Sequence, residues 1–472
     1  MEMMSTNMSI AIKNICNKIR NNEKINDGLI NGTINKFKNE WINIMAHSNL
    51  YNKLNFTYSL NNIKFKDYGI ECDIYIVPPL TYAILEGKID VIQENLDCLI
   101  ILNHSKVSKW IKARFIYNEC DTKSFEKVPL KEPYMLYVGN DYSGLPILVN
   151  LKDYPHLLIS GGTRSGKSKM SDCIITNSVI NFSPQELQLY LCQAAKSDLI
   201  LYEDLVHTRA YADTLEKIEN ILTYITKILM PERDKLIRPY RKRAKADNYH
   251  DYNKLKKTEK IPTTLIIFDE MSSLYQINGE GGDEKKLKQS ITELIDRIAQ
   301  YGASLGCFLI SSVQRPTAKN LSSFVKSQST ANVSFKQNNS KSAEVATDDS
   351  KLPLGLKMRE FVYYLDNWNY GIVPWINNGE IYELIKPSLD AKHRTLFDDL
   401  KKMNGRSGIK DKSKRKEKQE ETHFKTSEEI LEENISKIND FVTWDNPNGK
   451  FVIDGTKTPT KTKRPIKKPI KK

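Results

Sequence analysis

Eight consecutive residues could do chemistry on a phosphate. Gly161, Gly162, Thr163, Arg164, Ser165, Gly166, Lys167 and Ser168 spell GGTRSGKS, which satisfies GxxxxGK[ST]. Glycines let backbone N–H groups curl around phosphate oxygens, the lysine reaches the β- and γ-phosphates, and the Ser168 hydroxyl suits Mg²⁺. The run HLLIS precedes the glycines, and Met170, Cys173 and Ile174 share one helical face behind them. A strand, a loop and a helix N-terminus follow in the order that phosphate binding requires.

Two further strand ends carry polar groups. TTLIIFDE ends on Asp269 and Glu270: Asp269 suits Mg²⁺, directly or through water, and Glu270 suits orienting or deprotonating an attacking water. With a P-loop upstream, this strand reads as a Walker B element. GCFLISSVQRP places Gln314 at the tip of another apolar run, where a glutamine near a γ-phosphate senses hydrolysis and relays it to loops. ATP and Mg²⁺ are the implied nucleotide and metal, with Lys167, Glu270 and Gln314 as the catalytic set.

These groups must be positioned by an α/β domain. HLLIS, LQLYLC, TTLIIFDE and GCFLISSVQ lack strict alternation, as expected of a parallel sheet buried on both faces. Leu215, Ile218, Leu222, Ile225 and Leu229 make one helical face, and Ile291, Leu294, Ile295 and Ile298 another. The expected organisation is a helical segment over 1–60, a small α+β domain and linker over 61–150, a nucleotide-binding domain over 151–392, and a basic, largely disordered tail over 393–472. GNDYSGLPILVNLKDYPH reads as the linker. One amphipathic helix is expected in the tail, from a Thr426/Glu429 capping box and a stripe of Leu431, Ile435, Ile438 and Val442.

The chain has 472 residues and a formal net charge of +13, which suits a polyanionic partner. The stretch RPYRKRAKADNYHDYNKLKK supplies Arg238, Arg241, Lys242, Arg243 and Lys245, with interleaved tyrosines, for tracking phosphates without sequence preference. The alternative for that stretch is a solvated helix surface. The seven cysteines are scattered without a CxxC pair, which argues against a disulfide framework or a zinc site and fits a reducing cytosol. No uncharged apolar stretch reaches the length of a membrane helix, so a cytoplasmic protein is expected, recruited to a membrane only through a partner.

The three elements, in this order, resemble the FtsK/SpoIIIE family of DNA-pumping ATPases. YSGLPILVNLKDYPHLLISGGTRSGKS resembles the family's approach to its motor domain, LIIFDEMSSLY its Walker B, LISSVQRPTAK its Gln-Arg-Pro segment, and LMPERDKLI a helix carrying Glu-Arg. The 61–138 unit resembles the domain before the motor in coupling proteins of Gram-positive conjugative elements. The resemblance implies a RecA-like fold, a homo-oligomeric ring, usually hexameric, around double-stranded DNA, and ATP held between subunits. It also implies relaxase or transfer-channel partners. Two departures stand out: QAAKSDL keeps Lys196 without the acidic residue that usually precedes it, and IAQYGASLG has Ala303 where the family offers an arginine to the next subunit. Arg297 and Arg315 are the candidates to replace that arginine. The expected function is ATP-dependent DNA translocation for a plasmid or other mobile element. A protein-secretion ATPase of the same superfamily and a nucleotide-gated assembly factor with little turnover are the alternatives.

Overall fold

The Asn- and Lys-rich start of the chain folds as two helices, α1 (Glu2–Arg20) and α2 (Asp27–His47). The computed structural model describes residues 2–105, 107–118, 124–194, 198–255, 258–276, 281–314, 316–317, 321–393, 395–397, 442–445 and 450–453. Ile12, Ile15 and Cys16 of α1 and Phe37, Trp41 and Met45 of α2 are buried at helical spacing. The Asn26 side chain caps α2 by accepting from the Gly28 N–H.

Both helices pack on an antiparallel sheet of order β1-β2-β4-β3, formed by β1 (Ser59–Phe65), β2 (Gly69–Tyr75), β3 (Leu99–His104) and β4 (Trp110–Ile116). The short helices α3 (Tyr82–Glu86) and α4 (Ile89–Leu96) connect β2 to β3. Phe115 of β4 meets Phe37 and Trp41 edge-on at 5.1 and 5.8 Å, and the Trp41 indole N–H donates to the Tyr58 carbonyl at 2.7 Å. The residues up to 60 therefore share one core with the sheet that follows.

The second core belongs to a ten-stranded sheet of order β6-β5-β14-β13-β12-β7-β11-β10-β8-β9. Its chain order is β5 (Met135–Asn140), β6 (Pro146–Asn150), β7 (Leu157–Ser160), α5 (Lys167–Val179), β8 (Leu187–Cys192), β9 (Thr208–Ala212), α6 (Leu215–Tyr224), α7 (Met230–Arg241), α8 (Tyr249–Lys254), β10 (Thr263–Phe268), α9 (Ser272–Tyr275), α10 (Gly282–Tyr301) and β11 (Cys307–Val313). It continues through α11 (Ser323–Gln328), β12 (Ala331–Phe335), α12 (Ser340–Thr347), β13 (Glu360–Tyr364), β14 (Trp368–Ile372) and α13 (Asn378–Ile385). The six strands from β12 to β9 are parallel, and β13, β14, β5 and β6 continue the sheet antiparallel. The four apolar runs singled out in the sequence are β7, β8, β10 and β11, adjacent and buried at every position.

Three expectations change. The segment read as a linker is a hairpin, β5–β6, whose Gly and Pro signals mark its turn and a bulge rather than a break between domains. It extends the large sheet, so the boundary between the cores lies before β5 and not at 150. The two units are tied there: Arg114 of β4 donates to Asp141 Oδ2 at 2.5 Å and to Ser143 Oγ at 2.6 Å in the β5–β6 turn. In the tail, Val442 opens a strand, β15 (Val442–Asp445), paired with β16 (Lys450–Ile453), and is not helical. Thr426, Glu429, Leu431, Ile435 and Ile438 lie outside the described residues, as do Lys196 and Arg315.

Two buried polar side chains lock the parallel strands. Arg233 on α7 donates to the carbonyls of Leu305 and Gly306 at 2.9 and 3.1 Å and to Thr264 Oγ1 at 2.7 Å, joining the starts of β10 and β11. His156, just before β7, accepts from the Leu309 N–H at 2.9 Å and donates through Nε2 to the Ala299 carbonyl at 3.0 Å, linking β11 and α10. That pair of bonds requires the neutral ring, and burial pushes its pKa down to about 4.

Replacing Arg233 with alanine takes the donor from the buried Leu305 carbonyl and from Thr264 Oγ1, while the Gly306 carbonyl keeps the Thr264 N–H; chemical unfolding should show a loss of about 3 kcal/mol. Arg243→Ala, on the surface, should stay within about 0.5 kcal/mol. The depressed His156 pKa makes the unfolded chain the better proton acceptor below about pH 6.5, the ordinary histidine value. Stability should therefore fall as pH drops toward 4, at up to about 1.4 kcal/mol per pH unit from this residue. His156→Asn should flatten that slope, because Asn tolerates the positive φ at this position (62°) and does not titrate. An unchanged slope would show that His156 is not the titrating group.

Candidate active site

The parallel register brings the chemistry together. Val313 pairs with Ser160, and Phe268 pairs with both Ser311 and Cys192, so β7, β11, β10 and β8 end along one edge of the sheet. The glycine-rich loop leaves β7, Asp269 and Glu270 leave β10, and Gln314 leaves β11 at that edge. Backbone bonds fix the exits: Gly161 N–H to the Val313 carbonyl at 3.1 Å, Gly162 N–H to the Lys336 carbonyl at 2.9 Å, and Met271 N–H to the Ser312 carbonyl at 2.8 Å.

The loop's glycines are required by approach as well as by conformation. A Cβ on Gly161 would fall 2.5 Å from Phe335 Cβ. Gly166 has φ +126°, and a Cβ there would lie 2.8 Å from the Phe335 ring and 3.0 Å from Arg359 Cα. Phe335 of β12 thus sets the depth of the loop. Thr163 and Arg164 are exposed, Ser165 is buried, and α5 starts at Lys167 with its N-terminus facing the loop.

Lys167 is buried and folds back on its own loop, donating to the Gly161 and Gly162 carbonyls at 2.7 and 3.1 Å. The Ser168 hydroxyl donates to Asp198 Oδ2 at 3.1 Å. Asp269 is buried and accepts from Gln193 Nε2 at 3.5 Å. Glu270 Oε1 accepts from the N–H groups of Ser272 (3.0 Å) and Gln314 (3.4 Å). Its Oε2 is buried without a partner, as are the hydroxyls of Ser165 in the loop, Ser272 after β10 and Ser312 near the end of β11. Buried polar atoms without partners cost free energy unless a ligand or water satisfies them. Together with the glycine cradle and the buried ammonium, they fit a polyphosphate with a divalent cation and a water.

The structure brings Gly161 through Ser168, Asp269, Glu270 and Gln314 together and keeps the basic cluster apart. Arg238, Arg241, Lys242, Arg243 and Lys245 are exposed at and beyond the end of α7. That helix is held by Arg233 at the starts of β10 and β11, the opposite end of the strands from Asp269 and Gln314. Arg241 also pairs with Asp234 at 2.9 Å and donates to the Asp247 carbonyl, so part of its fork is used internally. Ala303 lies in a 3₁₀ turn (Ala303–Leu305) after α10, on which Arg297 is exposed.

Sequence reasoning missed Asp198 and Arg359. Asp198 puts a carboxylate on the Ser168 hydroxyl two residues after Lys196, where the sequence pattern had lost its acid before that lysine. Arg359 immediately precedes β13: its N–H donates to the Ser165 carbonyl at 2.8 Å, and it holds φ +71°, a left-handed conformation that costs an L-residue about 1–2 kcal/mol. Neither is visible without the fold, because each reaches the loop across the sheet edge.

Residues 121–318 match the model of the FtsK/SpoIIIE family. Over 245 residues the chain is 26% identical to the DNA translocase FtsK of Leptospira interrogans serogroup Icterohaemorrhagiae, a match that covers 49% of this chain and 24% of that protein. Over 218 residues it is 27% identical to the DNA translocase FtsK of Staphylococcus aureus strain Mu50, covering 44% of this chain and 26% of that one. The chain thus spans about a quarter of the length of these curated relatives. Among solved structures, the pCW3 conjugation coupling protein TcpA in its monomer form with ATPγS superposes with a TM-score of 0.49 at 18% identity, covering 74% of this chain and 99% of that one. The cytoplasmic domain of the Thermomonospora curvata type VII secretion ATPase EccC gives 0.47 at 18% identity, covering 58% and 33%. The residues that match the FtsK/SpoIIIE model, 121–318, include the P-loop, the Asp-Glu strand end and Gln314 that meet at one sheet edge.

Proposed function

We propose that this chain hydrolyses ATP and uses the energy to move double-stranded DNA, as the ATPase of a mobile genetic element's transfer or segregation system. The observation that carries the reading is Glu270: two backbone N–H groups hold one oxygen, and the other is buried without a partner, at the sheet edge from which the phosphate loop also leaves. A nucleotide-binding site alone does not need that group; a hydrolytic site does, to orient the attacking water.

On this reading Lys167, now on the Gly161 and Gly162 carbonyls, would bind the β- and γ-phosphates, and Ser168, now on Asp198, would be a ligand for the metal ion. Ser168 and Asp269 would hold Mg²⁺, which would supply charge neutralisation on the phosphate oxygens. The Gln314 N–H shares Glu270 Oε1, so a movement of Glu270 on hydrolysis is passed to the segment after β11. A ring of copies, hexameric by analogy with the family, would bring an arginine to the phosphates from a neighbour; Arg297 is the described candidate. Relaxase or channel proteins would be further partners, and the reading places the chain in the cytoplasm, recruited to a membrane by such a partner. No helix among the described residues is long and apolar enough to cross a membrane.

The test is ATP turnover at low salt with and without duplex DNA. Duplex should stimulate turnover several-fold, and the stimulation should fade as salt rises, because phosphate contacts are weakened by counterions. Absence of stimulation at low salt would refute a DNA motor and favour the other readings. Reversing Lys242, Arg243 and Lys245 to glutamate should weaken duplex binding and lower the salt slope by about two to three, with turnover in the absence of DNA unchanged. Unchanged duplex affinity would place the DNA path elsewhere.

A further inference from the structure

Beside the phosphate loop stands an aromatic group that the hydrolytic reading does not use. Trp375 is 46% exposed, although it follows β14 into the large core. Its backbone is fixed: its carbonyl accepts from the Phe125 N–H at 2.8 Å, and the preceding Pro374 carbonyl lies 4.0 Å from Cys173 Sγ of α5. The indole is therefore held on the flank of the helix that the loop opens.

Two cations lie on its ring. The Arg359 guanidinium carbon is 5.6 Å from the ring centroid and Lys169 Nζ is 5.7 Å from it. Lys169 is on the first turn of α5, one residue after Ser168, and is braced by Asp172 at 2.9 Å. Asp172 is in turn held by the Tyr202 hydroxyl at 2.9 Å. Arg359 spends Nη1 on the Val373 carbonyl at 3.3 Å, and its Nε is buried without a partner. Its N–H is bonded to Ser165 within the loop itself, and its left-handed backbone is retained there against its intrinsic cost. A half-exposed indole, a fixed guanidinium and a braced ammonium thus adjoin the start of α5, where the phosphates of a bound nucleotide would end.

We propose that Trp375 and Arg359 form the subsite for the base and ribose of the nucleotide, with Lys169 facing its α-phosphate. This rests on the P-loop reading above and adds to it which residues select a nucleotide over a bare polyphosphate. An aromatic face stacks any base, and a cation on the same ring adds attraction for the anionic end of the ligand.

Titration calorimetry of the full chain with Mg²⁺ distinguishes base from phosphate by comparing ADP with inorganic tripolyphosphate. Trp375→Ala should weaken ADP about tenfold or more and leave tripolyphosphate within twofold, while Trp375→Phe keeps most of the ADP affinity. ADP should change the indole fluorescence of the wild type and not of Trp375→Phe, a readout that a general loss of structure in the alanine variant cannot imitate. Wild-type ADP affinity in Trp375→Ala, or an equal loss of both ligands, would overturn the subsite while leaving the P-loop reading intact. A wild-type chain that binds neither ligand would instead overturn the P-loop reading, and the subsite with it.

Discussion

Everything at the site depends on four parallel strands ending level. The pairing of β7 with β11, β11 with β10 and β10 with β8 runs in register up to Ser160, Val313, Phe268 and Cys192. A slip of one residue would turn every side chain to the other face and carry Asp269 and Glu270 away from the loop. The lock on this register is polar and buried. His156 ties β11 to α10 at the sheet's middle, and Arg233 clamps the starts of β10 and β11. Both use charged or titratable side chains because the backbone groups they meet, the Leu305 carbonyl for Arg233 and the Ala299 carbonyl and Leu309 N–H for His156, need polar partners that apolar groups lack.

The level ends bring groups of opposite character into one place. On the loop side, an ammonium and a helix N-terminus attract anions. On the β10 side, two carboxylates stand where an anion alone would be repelled. A ligand carrying both signs, a polyphosphate with its divalent cation, would reconcile them. In the free chain the groups satisfy each other partly: Lys167 on its own loop's carbonyls and Ser168 on Asp198. Ligand binding is then an exchange of partners more than an assembly of a site. Glu270 is the exception, since its second oxygen has nothing to exchange.

The legible parts of the sequence were those where one local rule decides. Strands buried on both faces read as unbroken apolar runs, so β7, β8, β10 and β11 stand out, and the P-loop spacing is short enough to need no fold. The β5–β6 hairpin did not stand out, because Gly139, Gly144 and Pro146 signal a break whether the chain leaves the sheet or turns within it. β12 to β14 mix buried Ser334 with half-buried Asn332, Tyr363, Asn369 and Tyr370, so they lack the unbroken apolar runs of the other strands. Arg359 and Trp375 belong to that late, antiparallel part, and nothing in their own neighbourhood ties them to a loop nearly two hundred residues earlier. Asp198 is hidden for the same reason: its role is set by the return of β8 beside β10, which places it over Ser168.

The distinction between holding ATP and cutting it rests on one oxygen of Glu270. The direct measurement is the nucleotide recovered from wild type and Glu270→Gln after each is loaded with ATP and Mg²⁺ and incubated through many turnover times. The amide keeps the bonds from Ser272 and Gln314 at one end and removes the base at the other. The expected result is ADP from the wild type and intact ATP from Glu270→Gln, at equal binding affinity. Equal hydrolysis by both chains would contradict the assignment and move the catalytic carboxylate elsewhere.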